Sequence, residues 1–205
     1  MYAYLIRHSG PDAQFEAADI PKPTVQPGHL LIQVKATSLN PVDWKIRTHD
    51  LPIAPDLPAI LHGDVAGIVT EVGEGVTTFQ VGDEVYGCAG GVKGQGGALA
   101  EFMMADAQLI ALKPRTIGFR EAAALPLVSI TAWEGLIDRA RVQPNQQVLV
   151  HAATGGVGHI ALQLARIHGA RVATTASTKA KADIGLRLGA KETIDYRNES
   201  PVDYT

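Results

Sequence analysis

The sequence predicts an α/β chain in two parts, a β-rich, barrel-like region over residues 1–118 and a β-α-β-α-β unit over residues 119–205. Three observations predict it. Short apolar runs broken by proline and glycine turns fill the first part, the pattern of a small barrel. From Phe119 the apolar spacing changes to the three and four residues of a helix facing a core. Residues 147–161, QVLVHAATGGVGHIA, then join an apolar run to a glycine cluster and to a second helical pattern.

Taken in order, Ala3 to Arg7 reads as a strand, and Ile20 to Gly28, with Pro21, Pro23 and Pro27, as extended and turn-like. Leu30 to Leu39 alternates as a strand should. Asn40 and Asp43 then bracket a turn that can start a short helix. Pro52, Pro55 and Pro58 mark a loop; Asp64 to Gly73 and Val81 to Tyr86 are the next strands, the first with glycine where a bulge or close packing is needed. Gly87 to Gly97 holds six glycines in eleven residues and reads as a flexible surface loop that could serve as a lid. Order resumes over Ala98 to Asp106, and Ile110 to Pro114 closes the β-rich part. Arg120 to Leu125 and Ile130 to Ala140, separated by Pro126, read as two helices.

Val148, Leu149 and Val150 form a run too short for a buried helix, so they are expected to be a parallel strand covered on both faces. Gly155, Gly156 and Gly158 supply backbone that can take positive φ and that an anion can approach without meeting a Cβ. Ile160, Ala161, Leu164 and Ala165 place a helix from the glycines to His168–Gly169. Gly156, Gly158 and Ala161 fit G-x-G-x-x-A, in which the first residue makes the turn, the second admits a pyrophosphate and the third packs helix on strand. The helix start offers unpaired N–H groups and partial positive charge to that phosphate. A strand at Arg171 to Thr175, a helix at Lys179 to Leu188 and a strand at Glu192 to Asp195 complete the first half of a Rossmann fold.

The residues after the second strand bear on the cofactor. A site for NAD places an acid about 20 residues past the glycines. Here Thr174 to Lys181 reads TTASTKAK, with no acid before Asp183. Hydroxyls and ammonium groups suit a 2′-phosphate, and NADP is the expected cofactor. Lys179 alone reads as an ordinary solvated residue.

Composition limits the other classes. Eighteen basic against 21 acidic residues, a net charge of −3, gives no general attraction to nucleic acid or anionic membrane. No apolar run reaches the roughly 20 residues that span a bilayer, and the N-terminus lacks the core of a secretory signal. Cys88 is alone, which excludes an intrachain disulfide and a multi-cysteine zinc site; a cytoplasmic setting is expected.

Six motifs then occur in a characteristic order. They are Asn40-Pro41-Val42-Asp43, Gly63 to Gly67, Val81 to Val85, Gly97 to Glu101, Leu125-Pro126 with Thr131-Ala132-Trp133, and Ala152 to Gly158. Together they resemble the medium-chain dehydrogenase/reductase superfamily, in its zinc-independent, zeta-crystallin-like quinone oxidoreductase branch. The resemblance covers essentially the whole chain. It implies a GroES-like fold for the first part and an NADP-binding Rossmann domain for the second. Zinc-dependent members carry Cys where Asn40 stands and a His-Glu pair aligned with Gly63-Asp64, so the resemblance implies no metal; His62 lies one residue off the ligand position. It further implies an electrophilic acceptor, a quinone or an α,β-unsaturated carbonyl, with Asn40 as the first candidate at the reacting oxygen and Trp44 and Lys45 nearby. Thr131 is implied toward the nicotinamide, and Ala153, Thr154, Gly155, Gly156, Val157 and Gly158 along the pyrophosphate. Ser177, Lys181 and Tyr196 are implied at the 2′-phosphate. Members of the branch are homodimers that extend beyond the point matching Thr205, so the chain reads as C-terminally truncated, with the nicotinamide side of the cleft incomplete. Two alternatives stand beside this reading: an enoyl-thioester reductase, for which the Asn40 to Lys45 turn lacks a Tyr, and a nucleotide-binding or structural protein with little catalysis.

Overall fold

The computed structural model describes residues 1–200. The chain divides into two compact units, the first Met1–Leu127 and the second beginning at Val128. In the first, β1 (Tyr2–Leu5) and β2 (Glu16–Asp19) pair antiparallel. Strand β2, reading EAAD, has no apolar alternation and lies mostly exposed, which is why its sequence carries no strand signal. The remaining strands are β3 (His29–Thr37), β4 (Asp64–Val72), β5 (Glu84–Cys88), β6 (Phe102–Asp106) and β7 (Ile110–Leu112). They form one antiparallel sheet in the order β6-β3-β4-β5-β7. The β3–β4 register shifts twice, between Leu31 and Ile32 and between Val34 and Ala36, so bulges bend the sheet. Its inner face is the core: Leu30, Ile32, Val65, Val69, Val85 and Met103 are all buried. Each such aliphatic side chain contributes about 1.5–3 kcal/mol relative to exposure.

Two expectations are corrected in this unit. The strand expected from Val81 starts only at Glu84, because Gly82 has φ +96° and the Asp83 carboxylate accepts from the Gln80 N–H, closing a turn. The glycine-rich segment 87–97 is not slack. Gly87, Gly90, Gly91 and Gly97 are buried, and a Cβ on Gly90 or Gly97 would stand under 3.0 Å from the carbonyl oxygens of Gly96 and Leu61, respectively. The glycines are there because backbone packs on backbone, and only residues 93–96 are exposed.

A helix α1 (Pro41–Thr48) follows β3, and α2 (Phe119–Ala123) lays Ala122 and Ala123 against Ala66 of β4, with Ala36 and Tyr86 alongside. The first unit therefore continues past the change of apolar period at Phe119. Helix α3 (Pro126–Trp133) starts at Pro126 itself, earlier than the expected Ile130, since proline at the first helical position forfeits no hydrogen bond. It widens into a π-helical stretch over Glu134–Arg139, where the Ala140 N–H reaches the Gly135 carbonyl at 3.1 Å.

The second unit matches its expected pattern to within about a residue. Strands β8 (Gln147–Val150), β9 (Arg171–Ala176) and β10 (Glu192–Asp195) are parallel in the order β10-β9-β8. Helices α4 (Gly156–Ile167) and α5 (Lys179–Leu188) connect them. Val150, Leu162, Ala165 and Val172 form the core between α4 and the sheet. No helix among the described residues is long and apolar enough to cross a membrane.

Candidate functional site

The glycine turn in the second unit lies at the carboxyl end of β8, and its shape differs in detail from the sequence expectation. None of its glycines has positive φ; the left-handed residue is Ala152, at φ +52°. This swings the chain out of the strand, and the Gly155 N–H closes onto the Ala152 carbonyl at 2.8 Å. Gly155 is the N-cap of α4, and no side chain caps the helix. Gly155, Gly156 and Val157 are exposed, so the N–H groups of the first turn, which have no intrahelical acceptor, face outward. The His159 ring bonds the Gly155 carbonyl oxygen at 3.0 Å rather than one of these N–H groups. Such a helix start can hold a phosphate.

The roles of the fingerprint residues also change. A Cβ on Gly158 would lie under 3.0 Å from the Ala152 carbonyl oxygen and 2.9 Å from the Ala153 Cα, so this glycine serves close packing of helix on turn rather than approach of a ligand. Ala153 is buried beneath the turn and Thr154 half-buried, while Ala161 packs in the core as expected.

Beyond β9, a cleft of about 210 Å³ is lined by Ala176, Thr178, Lys179, Thr193, Asp195 and Glu199, among others. Ser177 is half-buried beside Thr178, and Tyr196, about half exposed, follows Asp195. Lys181 is exposed in the first turn of α5, with its backbone N–H capped by the Thr178 hydroxyl at 3.3 Å. Lys179 is paired with Asp183 at 3.1 Å, in keeping with an ordinary surface role. The two carboxylates in the cleft are engaged locally: Asp195 accepts from Asn198 Nδ2 at 2.8 Å, and Glu199 accepts from the Asp195 N–H at 2.9 Å. Thr174 and Thr175, read above as hydroxyls toward a 2′-phosphate, are buried, and their oxygens bond the glycine turn instead. Thr131 is exposed on α3.

In the first unit, Asn40 is buried at the end of β3, and its amide is committed to the protein. Nδ2 donates to the Ser38 hydroxyl at 3.0 Å and to Asp64 Oδ2 at 2.9 Å, which uses both of its hydrogens. Asn40 thus has no N–H left for an acceptor oxygen, the role expected of it. Its backbone N–H donates to Asp43 Oδ2 at 2.7 Å, and Asp43 in the first turn of α1 fixes the entry to that helix. Trp44 and Lys45 stand exposed on α1, with Trp44 edge-on to His49.

Asp64 gathers this region. Fully buried, it also accepts from the Ser38 hydroxyl at 2.6 Å and, through Oδ1, from the Leu127 N–H in the first turn of α3 at 2.9 Å. His62, at φ +74°, is buried beside Phe15, and burial lowers its pKa. Burial likewise raises that of Asp43. Among the described residues no three His, Cys, Asp or Glu side chains converge as metal ligands. Burial, together with the charge of Asp64 and a hydrogen bond to it, pushes the Cys88 thiol up to about 12. At pH 8 the thiolate is then about one part in ten thousand, so a disulfide reagent is expected to label Cys88 far more slowly in the folded chain than in the denatured one. Rapid labelling of the folded chain at that pH would show that burial and Asp64 do not hold the thiol protonated.

Residues 26–115 match the family model of the alcohol dehydrogenase GroES-like domain, and residues 156–204 that of the zinc-binding dehydrogenase. The chain belongs to the medium-chain dehydrogenase/reductase superfamily. Within the superfamily it is similar to quinone oxidoreductases. It is 39% identical over 197 residues to a chloroplast envelope quinone oxidoreductase homolog of Arabidopsis thaliana, covering 93% of this chain and 59% of that protein. It superposes with a TM-score of 0.92 and 43% identity on an alcohol dehydrogenase superfamily protein from Novosphingobium aromaticivorans, covering 100% of this chain and 61% of that one. The Escherichia coli quinone oxidoreductase complexed with NADPH gives a TM-score of 0.83 at 31% identity, over 99% of this chain and 61% of that one. The chain thus spans about three fifths of the length of these superfamily members. Two features are not legible as such in the sequence: the role of Asp64, inside the Gly63 to Gly67 motif, as a buried hub, and the threonine pair under the glycine turn. Polar residues interrupting buried strands are the only trace either leaves in the sequence.

Proposed function

We propose that this chain is the nucleotide-binding and acceptor-facing portion of an NADPH-dependent reductase that passes hydride to a quinone or an α,β-unsaturated carbonyl without zinc. The observation that carries the reading is the uncapped, exposed start of α4 at the carboxyl end of β8, whose N–H groups and helix dipole suit a pyrophosphate. When bound, the dihydronicotinamide supplies the hydride. The chain's own part is to bind and orient. Gly156 and Val157 offer backbone N–H groups to the pyrophosphate, Ser177 and Lys181 offer a hydroxyl and an ammonium to the 2′-phosphate, and Tyr196 borders the adenosine. Thr131 on α3 turns toward the nicotinamide. With the Asn40 amide committed to Asp64, the donors left near the acceptor oxygen are Lys45 and the Trp44 indole, while Asn40 and Asp43 hold the start of α1 that carries them. Asn40 and Gly63 at the two positions aligned with metal ligands support zinc-free chemistry in a chain that matches a model named for zinc. One unpaired cysteine fits a reducing cytoplasmic setting.

Fluorescence titration of the chain with NADPH and NADH tests the cofactor. NADPH is expected to bind at least about tenfold more tightly, the contribution of one charge-assisted contact to the 2′-phosphate. Equal or tighter binding of NADH would remove the basis for the reading. Quinone-dependent NADPH oxidation that a chelator abolishes would remove its metal-free half.

A further inference from the structure

The turn between β8 and α4 is held by side chains of the neighbouring strand. The ladder between β8 and β9 ends at Val150 opposite Thr174. Past that point the Ala152 and Ala153 N–H groups have left the ladder, and they turn to threonine hydroxyls instead of backbone carbonyls. Thr175 Oγ1 accepts from the Ala152 N–H at 3.0 Å. Thr174 Oγ1 accepts from the Ala153 N–H at 3.2 Å and donates to the Val150 carbonyl at 2.7 Å, stapling both sides of the strand's end. Both threonines are at least nine-tenths buried, so water cannot replace them. Thr175 bonds the N–H of Ala152, the left-handed residue whose conformation a side chain otherwise disfavours. The Ala152 carbonyl in turn receives the Gly155 N–H, the step before α4 opens.

From this we infer that Thr174 and Thr175 are positioning residues for the nucleotide turn: their hydroxyls fix the backbone of Ala152 and Ala153, and through it the aim of the first-turn N–H groups of α4. The inference rests on the proposed nucleotide reading and adds to it two residues that touch no ligand. They act on the pyrophosphate end of the site, not on the 2′-phosphate end near Ser177 and Lys181.

The test uses the whole chain with Thr174→Val and Thr175→Val, which keep shape and remove the hydroxyl, and Thr174→Ser and Thr175→Ser, which keep it. Affinity is read for NADPH and for adenosine 2′-monophosphate, which lacks the pyrophosphate, with melting curves taken alongside. Thr175→Val is expected to weaken NADPH about tenfold and Thr174→Val, which strands a donor and an acceptor, on the order of thirtyfold. Adenosine 2′-monophosphate binding stays within about twofold, and the serine variants stay near the unsubstituted chain, since a single retained hydroxyl suffices. Should Thr174→Val not fold, Thr175→Val carries the test alone. Valine variants that bind NADPH like the unsubstituted chain overturn the inference and leave the nucleotide reading standing. Equal losses for both ligands, or serine variants as weak as valine ones, also overturn it. An unsubstituted chain that binds neither ligand overturns both.

Discussion

Gly158→Ala is expected to destabilise the second unit by about 2–4 kcal/mol and to weaken NADPH binding at least about a hundredfold. Two effects of opposite sign compete at this position. Alanine is the better helix former, by about 1 kcal/mol. Against it, the new Cβ would stand under 3.0 Å from the Ala152 carbonyl oxygen and 2.9 Å from the Ala152 carbonyl carbon and the Ala153 Cα. These are backbone atoms of a turn already held by Thr174 and Thr175, so they cannot rotate aside as a side chain would. Helix α4 must retreat from the turn, and its N–H groups lose their aim. Gly155→Ala is the control: there the nearest atom to a new Cβ is the same oxygen at 3.3 Å, and φ is −84°, open to any residue. It should cost less than about 1 kcal/mol. Thermal melts of the two variants, paired with NADPH titration, decide the point. A Gly158→Ala chain that melts and binds like the unsubstituted one would mean the helix can shift freely on its turn.

The contrast between Gly155 and Gly158 illustrates what the sequence could convey. Periodicity placed α4, α5, β9 and β10 nearly to the residue, because strand and helix spacing are local properties of the chain. The glycine fingerprint located the turn, yet which glycine meets backbone and which meets solvent depends on Ala152, whose left-handed φ no local rule assigns to alanine. The same limit governs Asn40. Its place before Pro41 reads as a turn, but the partner that consumes its amide is Asp64, 24 residues away. Segment 87–97 departs from its sequence expectation for a related reason: glycine composition fits loose backbone and backbone packed too tightly for any Cβ equally well, and only the approach of Leu61 and Gly96 separates them. Threonines 174 and 175 have strong β-propensity on any strand, so their hydroxyl contacts to the turn left no signal beyond an unusual polarity in a buried run.

Asp64→Ala should have the largest effect in the first unit, a loss of about 3–5 kcal/mol, seen as a fall in melting temperature of roughly 10 °C or more. The carboxylate is fully buried and accepts from the Ser38 hydroxyl, the Asn40 amide and the Leu127 N–H, so alanine strands three donors from two separate segments at once. Each buried donor left without a partner costs about 1–3 kcal/mol, and the Ser38 hydroxyl alone can rotate to soften its loss. Asp64→Asn separates shape from acceptor capacity. An amide offers one acceptor oxygen where the carboxylate offered two, so its NH2 must face either the Leu127 N–H or the Asn40 amide. One donor is left opposed, and the cost should be about 1–3 kcal/mol, between the native residue and alanine. The ranking native, Asn, Ala is therefore the signature of a hydrogen-bond hub. If asparagine is as damaging as alanine, the charge rather than the count of acceptors holds the region together, and if both are silent, Asp64 organises nothing. Because Asp64 adds to burial in raising the Cys88 thiol, Asp64→Asn should at the same time lower the thiol pKa and speed disulfide-reagent labelling.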